Sequence, residues 1–132
     1  MLPGMAVKLN HTIVHARDKR ESARFFVEVF GLSQPRPFGP FLDVDVDVAN
    51  EVTLAFLETS EEIQIQHYAF LVTEAEFDEV FGRVQARGLD YWADPAHRQG
   101  GEINRHDGGR GVYFNDPAGH YLEIITRPYG GG

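Results

Sequence analysis

LNHTIVHARDKRESARFFVEVFGL, residues 9–32, and QHYAFLVTEAEFDEVFGRVQARGL, residues 66–89, are the two stretches that decide the fold. Each begins with a β-rich run that carries a histidine near its start, His11 in the first and His67 in the second. Each then continues into an amphipathic segment and ends in Gly-Leu. Because the features follow in the same order, we interpret the chain as two repeats of one supersecondary unit.

The amphipathic part of each repeat predicts an α-helix. Asp18 and Thr73 each precede an acidic residue three positions later, which is a pattern of helix N-termini. Gly31 and Gly88 are placed to end the helices in the left-handed conformation. The second helix has one apolar face at the spacing i, i+3, i+4 and i+7, formed by Phe77, Val80, Phe81 and Val84.

Strands are predicted after each helix. Residues 41–48 alternate between apolar side chains and aspartates, which is typical of a strand with one solvated face, and residues 52–57 follow a short turn. In the second half, residues 112–114 and 121–126 are β-rich and are joined by a tight turn that contains Pro and Gly. Each half therefore reads β, α, then two or three β.

Composition excludes several function classes. The 132 residues carry a net charge of −8 without a dominant basic cluster, so we expect no nucleic-acid partner and no anionic-membrane partner. There is no cysteine, so any metal ligands must be nitrogen or oxygen donors. No apolar run is long enough for a signal peptide or a membrane span, and we expect a cytoplasmic protein.

Three residues form the leading candidate site. His11 and His67 occupy equivalent places in the two repeats, so a pseudo-twofold arrangement can bring their imidazoles together. Glu123 lies in an otherwise apolar strand and needs a cation, an arginine or an exposed face to offset the cost of burial. Two imidazoles and one carboxylate are the ligand set of non-haem iron sites, and they also suit Zn, Mn, Ni or Co.

Four motifs carry a resemblance to a known family: L-N-H at the first strand, F-F-x-E-V-F-G-L, H-Y-A-F, and G-V-Y-F-N-D-P-A-G-H-Y-L-E-I. The chain resembles the vicinal oxygen chelate superfamily, which includes glyoxalase I, fosfomycin-resistance enzymes, extradiol dioxygenases and bleomycin-resistance proteins. The resemblance implies an α+β fold of two βαβββ modules, paired into a cupped, barrel-like mixed sheet with the helices outside. It also implies one divalent metal ion bound by His11, His67 and Glu123.

We expect a single domain over residues 1–132, with module 1 at about 6–58 and module 2 at about 63–127. The resemblance further implies a homodimer. The cup can form within one chain, or it can be shared so that His11 and the pair of His67 with Glu123 come from different subunits.

Other residues are candidates for catalysis and substrate binding. In resembling enzymes a tyrosine at the place of Tyr113 touches the substrate, although ordinary strand packing also accounts for it. His106 is a conceivable proton-transfer residue. The substrate-binding candidates lie in the Gly-rich segment, which could equally be a solvated loop, or on strands near the cup: Asn104, Arg105, Arg110, Trp92 and Tyr121.

These features favour a metal-dependent lyase, transferase, isomerase or dioxygenase that binds a small oxygen-rich substrate through two adjacent oxygens. Glyoxalase I is disfavoured because the strand VTLAFLE has apolar residues where a fourth ligand is expected, and Glu58 comes only at its end. The alternative is a bleomycin-resistance-type protein that binds an antibiotic or another ligand without catalysis.

Overall fold

Capping determines where the two helices begin and end. In the computed structural model, which describes residues 7–129, Oδ1 of Asp18 accepts hydrogen bonds from the amides of the first helix. Thr73 and Glu76 form the reciprocal capping box of the second helix, at 3.1 and 2.8 Å. Gly31 and Gly88 follow the helices with φ of 72° and 68°. These predictions are confirmed.

Within residues 7–129, ten regular elements follow one another in two equivalent series. The first is β1 (His11–Ala16), α1 (Lys19–Phe30), β2 (Arg36–Phe38), β3 (Phe41–Asp47) and β4 (Val52–Glu58). The second is β5 (His67–Leu71), α2 (Glu74–Ala86), β6 (Tyr91–Trp92), β7 (Gly111–Asn115) and β8 (Tyr121–Ile125). A short 3₁₀ turn, His106–Gly108, precedes β7. The expected start of module 1 near residue 6 lies outside the described residues.

The two series form two sheets of the same topology. The strand orders are β1-β4-β3-β2 and β5-β8-β7-β6. In each sheet the first pair, β1 with β4 or β5 with β8, is parallel, and the other pairs are antiparallel. The α+β fold with two βαβββ modules is confirmed. Over the described part of the chain the sheets remain separate and open, so they do not close a barrel.

One hydrophobic core joins the modules. Phe26 of α1 is fully buried, and its ring lies 5.3 Å from Phe56 in the first sheet and 6.3 Å from Phe70 in the second. Phe30 also contacts the second sheet, at 5.0 Å from Phe70 and 6.0 Å from Phe114. Helix α1 therefore packs against both sheets. In the stretch from residue 7 to residue 129, no helix has the length and apolarity needed to cross a membrane.

His120 makes a polar connection between the modules. Its Nε2 lies 2.8 Å from the carbonyl oxygen of His15 in β1, and its Nδ1 accepts a hydrogen bond of 3.0 Å from the amide of Gln66. The side chain is 1% exposed. Both ring nitrogens are thus used for structure, and His120 is not available as a metal ligand.

Candidate functional site

His67 and Glu123 meet on the open face of the second sheet. β5 and β8 pair in parallel with Ala69 opposite Glu123, so His67 and Glu123 lie close on neighbouring strands. Nε2 of His67 lies 3.1 Å from Oε1 of Glu123. The Glu123 side chain is 1% exposed and that of His67 is 49% exposed, so the pair is reached from the imidazole side.

Two tyrosines complete the surroundings of this carboxylate. Tyr113 lies opposite Glu123 in the antiparallel pair of β7 and β8, and its ring lies 5.9 Å from that of His67. Tyr129, in the tail after β8, donates a hydrogen bond to Oε2 of Glu123. Its hydroxyl also lies 3.1 Å from the hydroxyl of Tyr113. A continuous polar network therefore links both tyrosines and His67 through Glu123.

Burial dominates the electrostatics of the pair. It raises the pKa of Glu123, while hydrogen bonding from Tyr113 and the charge and hydrogen bonding of His67 act in the opposite direction. Burial also raises the pKa of Tyr113, and the neighbouring Glu123 raises it further. Tyr113 is therefore a neutral hydroxyl group throughout the ordinary pH range, and it can donate a hydrogen bond to a nearby oxygen.

His11 lies on the other sheet. It is exposed at the start of β1, and its Nδ1 lies 2.7 Å from Oδ1 of Asn10. It lines a cavity of about 300 Å³ together with Ile13, Phe38 and Thr53. Within residues 7–129, no three His, Asp or Glu side chains lie close enough together to hold a metal ion. A single chain therefore brings together two of the three expected ligands.

The pair itself fits a divalent ion. Metal bonds to His nitrogen and carboxylate oxygen are roughly 2.0–2.2 Å long, so one ion can touch two atoms about 3 Å apart. Nε2 of His67 and Oε1 of Glu123 have this separation. An imidazole and a carboxylate also match borderline metals such as Fe, Mn, Zn, Co and Ni. The exposed side of His67 leaves room for further ligands.

Two of the substrate-binding candidates, Trp92 and Tyr121, stack on the ring of His97 beside this pair. The ring of His97 lies 3.7 Å from that of Trp92 at an interplanar angle of 4°, and 4.5 Å from that of Tyr121. Tyr121 is two residues from Glu123 on β8 and so shares its face. His97 has a φ of 57°, and its buried Nε2 has no hydrogen-bond partner among the described residues.

The loop candidates divide into structural and exposed residues. Asn104 is 9% exposed and donates a hydrogen bond of 2.9 Å to the carbonyl oxygen of Ala93, which fastens the loop. Arg105 and His106 are exposed. His106 is near enough to Glu123 for its charge to lower the pKa of that carboxyl group.

Arg110 is directed towards α2. Its guanidinium group bonds to carboxylate oxygens of Glu74 and Asp78, both at 2.8 Å, and lies 4.4 Å above the ring of Phe77. Those carboxylates raise the pKa of Arg110 and neutralise its charge locally. Arg110 thus holds the loop to the helix, and we leave it out of the substrate site.

Sequence reasoning missed Tyr129 and His97. Tyr129 lies just beyond the expected end of module 2, and an aromatic residue after Pro128 in an otherwise polar and Gly-rich tail is the signal that could have indicated it. His97 follows Pro95 in a short turn, and its sequence neighbours carry no pattern that predicts its stacking on Trp92 and Tyr121.

Comparisons with known proteins agree with the fold. The sequence model of the Glyoxalase/Bleomycin resistance protein/Dioxygenase superfamily matches residues 8–124. The chain therefore belongs to that superfamily.

Three relatives illustrate the range of the similarity. The solved structure of "Oxidase ChaP-H1" is 63% identical, covers 96% of this chain and 100% of its own, and has a TM-score of 0.91. "Oxidase ChaP-H2" is 56% identical with the same TM-score, at 97% and 100% coverage. "Glutathione transferase FosA" of Serratia marcescens is 28% identical over an alignment of 125 residues, with coverage of 91% of this chain and 81% of that protein.

Proposed function

We propose that the chain is a metal-dependent oxidoreductase that acts on a small, oxygen-bearing organic substrate. The observation that carries the proposal is the approach of Nε2 of His67 and Oε1 of Glu123 to 3.1 Å on an open sheet face. These residues would hold one divalent ion, with His11 of a second copy as the third ligand. Two histidines and one carboxylate that leave positions open are the ligand set of non-haem iron enzymes.

An oxidative reaction is favoured over the other reactions of the superfamily by similarity. Two solved relatives at 63% and 56% identity are named oxidases, whereas the relative named as a glutathione transferase is 28% identical. The charge distribution is consistent with this choice. Arg110, in the loop just before β7, bonds to Glu74 and Asp78 and so does not offer its charge to an anionic phosphonate group.

The separation of the two sheets is consistent with a site shared between two copies of the chain. His11 faces an open surface in the first sheet, and His67 with Glu123 faces an open surface in the second. In the proposed twofold dimer each first sheet would lie on the second sheet of the other copy, and the symmetry would repeat every contact. Two equivalent centres of the composition His, His and Glu would result.

The side chains around the pair have separate tasks in this proposal. When bound, the ion supplies Lewis acidity that polarises two adjacent oxygens of the substrate. Tyr113 keeps its proton, because burial and Glu123 raise its pKa. Its hydroxyl would turn from Tyr129 to donate a hydrogen bond to a substrate oxygen. The exposed His106 exchanges protons with solvent. Trp92 and Tyr121 provide aromatic walls, and Arg105 contributes positive charge at the entrance.

Metal content tests the proposed ligands. Wild-type protein, His67→Ala and the control Glu62→Ala, which changes an exposed residue between the modules, are loaded with Fe²⁺, Mn²⁺ or Zn²⁺. The proteins are then desalted and analysed for bound metal. We expect wild type and Glu62→Ala to retain the ion and His67→Ala to lose it. Equal metal in all three proteins would overturn the ligand assignment.

A substrate panel then tests the reaction. Catechols with oxygen uptake, glutathione hemithioacetals, and epoxide phosphonates with thiols separate oxidation from isomerisation and from thiol transfer. Oxygen consumption that depends on the metal supports the proposal, and turnover of either other substrate class overturns the oxidative assignment. Thermal stabilisation by a large glycopeptide without metal would instead favour the non-catalytic binding protein.

A further inference from the structure

The C-terminal tail contributes a residue to the His67–Glu123 pair. Tyr129 lies four positions after the end of β8, and its hydroxyl donates a hydrogen bond to Oε2 of Glu123. The same hydroxyl lies 3.1 Å from that of Tyr113. The two oxygens of the carboxylate therefore have different partners, with Oε1 facing His67 and Oε2 facing the tail.

The tail is directed back to the sheet by contacts at its start. The Oγ1 atom of Thr126 accepts a hydrogen bond of 2.8 Å from the amide of Arg110, and the amide of Thr126 donates one of 3.0 Å to the carbonyl oxygen of Arg110. Arg127 packs closely on Gly109. A Cβ atom added to Gly109 would lie 2.9 Å from Cγ of Arg127. The loop before β7 therefore fixes the direction in which the tail leaves β8.

Burial of the ring does not account for the position of Tyr129. The residue is 51% exposed, whereas Tyr113 on the neighbouring strand is 6% exposed. A half-exposed ring gains little from apolar packing, so the contacts of its hydroxyl group with Glu123 and Tyr113 are its distinguishing feature. This hydroxyl also supplies a hydrogen bond to a carboxylate that burial would otherwise leave short of partners.

We propose that Tyr129 is a positioning residue that holds Oε2 of Glu123, so that Oε1 and Nε2 of His67 are presented together to the metal ion. The inference rests on the proposed function, because it assumes that the pair binds a metal. Carboxylates that ligate metals are commonly fixed by hydrogen bonds from outside the ligand set, and removing such a partner typically lowers metal affinity by about 10- to 100-fold.

Metal affinity of Tyr129→Phe tests this inference directly. The matched control is Tyr91→Phe, which removes a hydroxyl whose partner is Nε2 of Gln85, at 3.5 Å, on α2. Dissociation constants for Co²⁺ are measured by competition with a chelating dye, and the visible spectrum of the Co²⁺ protein is recorded. We expect Tyr129→Phe to bind about tenfold more weakly with an altered spectrum, and Tyr91→Phe to match wild type.

The outcomes separate this inference from the proposed function. If wild type binds Co²⁺ and Tyr129→Phe has the same affinity within about twofold, or a higher one, the role of Tyr129 is overturned while the metal site stands. If wild type and His67→Ala bind equally, the metal site itself is wrong and the inference falls with it. Thermal unfolding of the metal-free proteins, measured in parallel, shows whether Tyr129→Phe keeps a cooperative fold at the temperature of the binding experiment.

Discussion

Ala55 and Glu123 occupy the same position in the two sheets. Ala55 lies opposite Ile13 in the parallel pair of β1 and β4, and Glu123 lies opposite Ala69 in the parallel pair of β5 and β8. The carboxylate is therefore present in one half of the repeat only. Where the second module offers an imidazole and a carboxylate, the first offers His11 alone, so the proposed centre needs both modules.

Mixing two inactive variants tests whether the centre is shared between copies. His11→Ala and His67→Ala homodimers each lack a ligand in both centres. A mixed dimer has one intact centre, because the unaltered His11 of one copy meets the unaltered His67 of the other. After the variants are denatured and refolded together, we expect bound metal to recover to about a quarter of the wild-type amount.

The control is the same procedure applied to each variant alone, which should leave metal near the background level. Recovery of bound metal in either variant alone would contradict a shared centre. So would a mixture that recovers no metal although sedimentation shows folded dimers.

Removing the His120 side chain should weaken the connection between the modules. His120→Ala empties a buried side-chain position and leaves the carbonyl oxygen of His15 and the amide of Gln66 without their partner. We expect the free energy of unfolding in urea to fall by roughly 2–4 kcal/mol. The exposed His106→Ala should change it by less than about 0.5 kcal/mol. Equal effects would show that His120 is not a structural link.

Two glycines of the second module should respond to alanine with opposite signs. Gly82 lies inside α2 with no atom near its added Cβ, so Gly82→Ala should raise the free energy of unfolding by about 0.5–1 kcal/mol. Gly88 also has free space but has a φ of 68°, so Gly88→Ala should lower it by roughly 1–2 kcal/mol. Thermal and urea denaturation measure the change in the free energy of unfolding for each variant. Changes of the same sign in both variants would contradict the backbone conformations assigned to the two glycines.

Asp116 should make stability depend on pH. Burial raises the pKa of this carboxyl group above its unfolded value, against the hydrogen bonds from the amides of His120 and Ala118. Its stabilising contribution is therefore complete below the unfolded pKa and is lost as the pH rises through the folded pKa. Relative to Asp116→Asn, wild type should become less stable as the pH rises above about 4.

The difference between the two proteins at each pH is the relevant quantity, because it removes the titration of groups that do not interact with Asp116. Urea denaturation over that range measures it. A difference that stays constant with pH would mean that burial does not perturb this carboxyl group.

The order of elements was predictable because it depends on local patterns, such as the caps at Asp18 and Thr73. Two details of the strands could not be predicted from the sequence. β2 has only three residues and contains Pro37, which removes a backbone donor, so its sequence does not read as a strand. The alternation in residues 41–48 predicts a strand to Val48, but the register shifts between Asp45 and Asp47, and Val48 is 74% exposed in the turn.

The site was predictable where a residue contradicts its surroundings. Glu123 stands out as a carboxylate in an apolar strand, and the structure gives it His67 and Tyr129 as partners. Arg110 could not be judged in this way, because an arginine in a loop has several carboxylates within reach and only the three-dimensional structure selects among them. Tyr129 depends on the path of the tail, which no periodic pattern encodes.

Trp92 is the single tryptophan of the chain, and it stacks on His97 beside the face that carries Glu123. Intrinsic emission excited at the indole therefore comes from one location. Any ligand that moves the imidazole or inserts near Tyr121 changes the surroundings of that fluorophore. Occupation of the site beside His67 and Glu123 can accordingly be followed in solution without a label, by a spectral change that has a single structural origin.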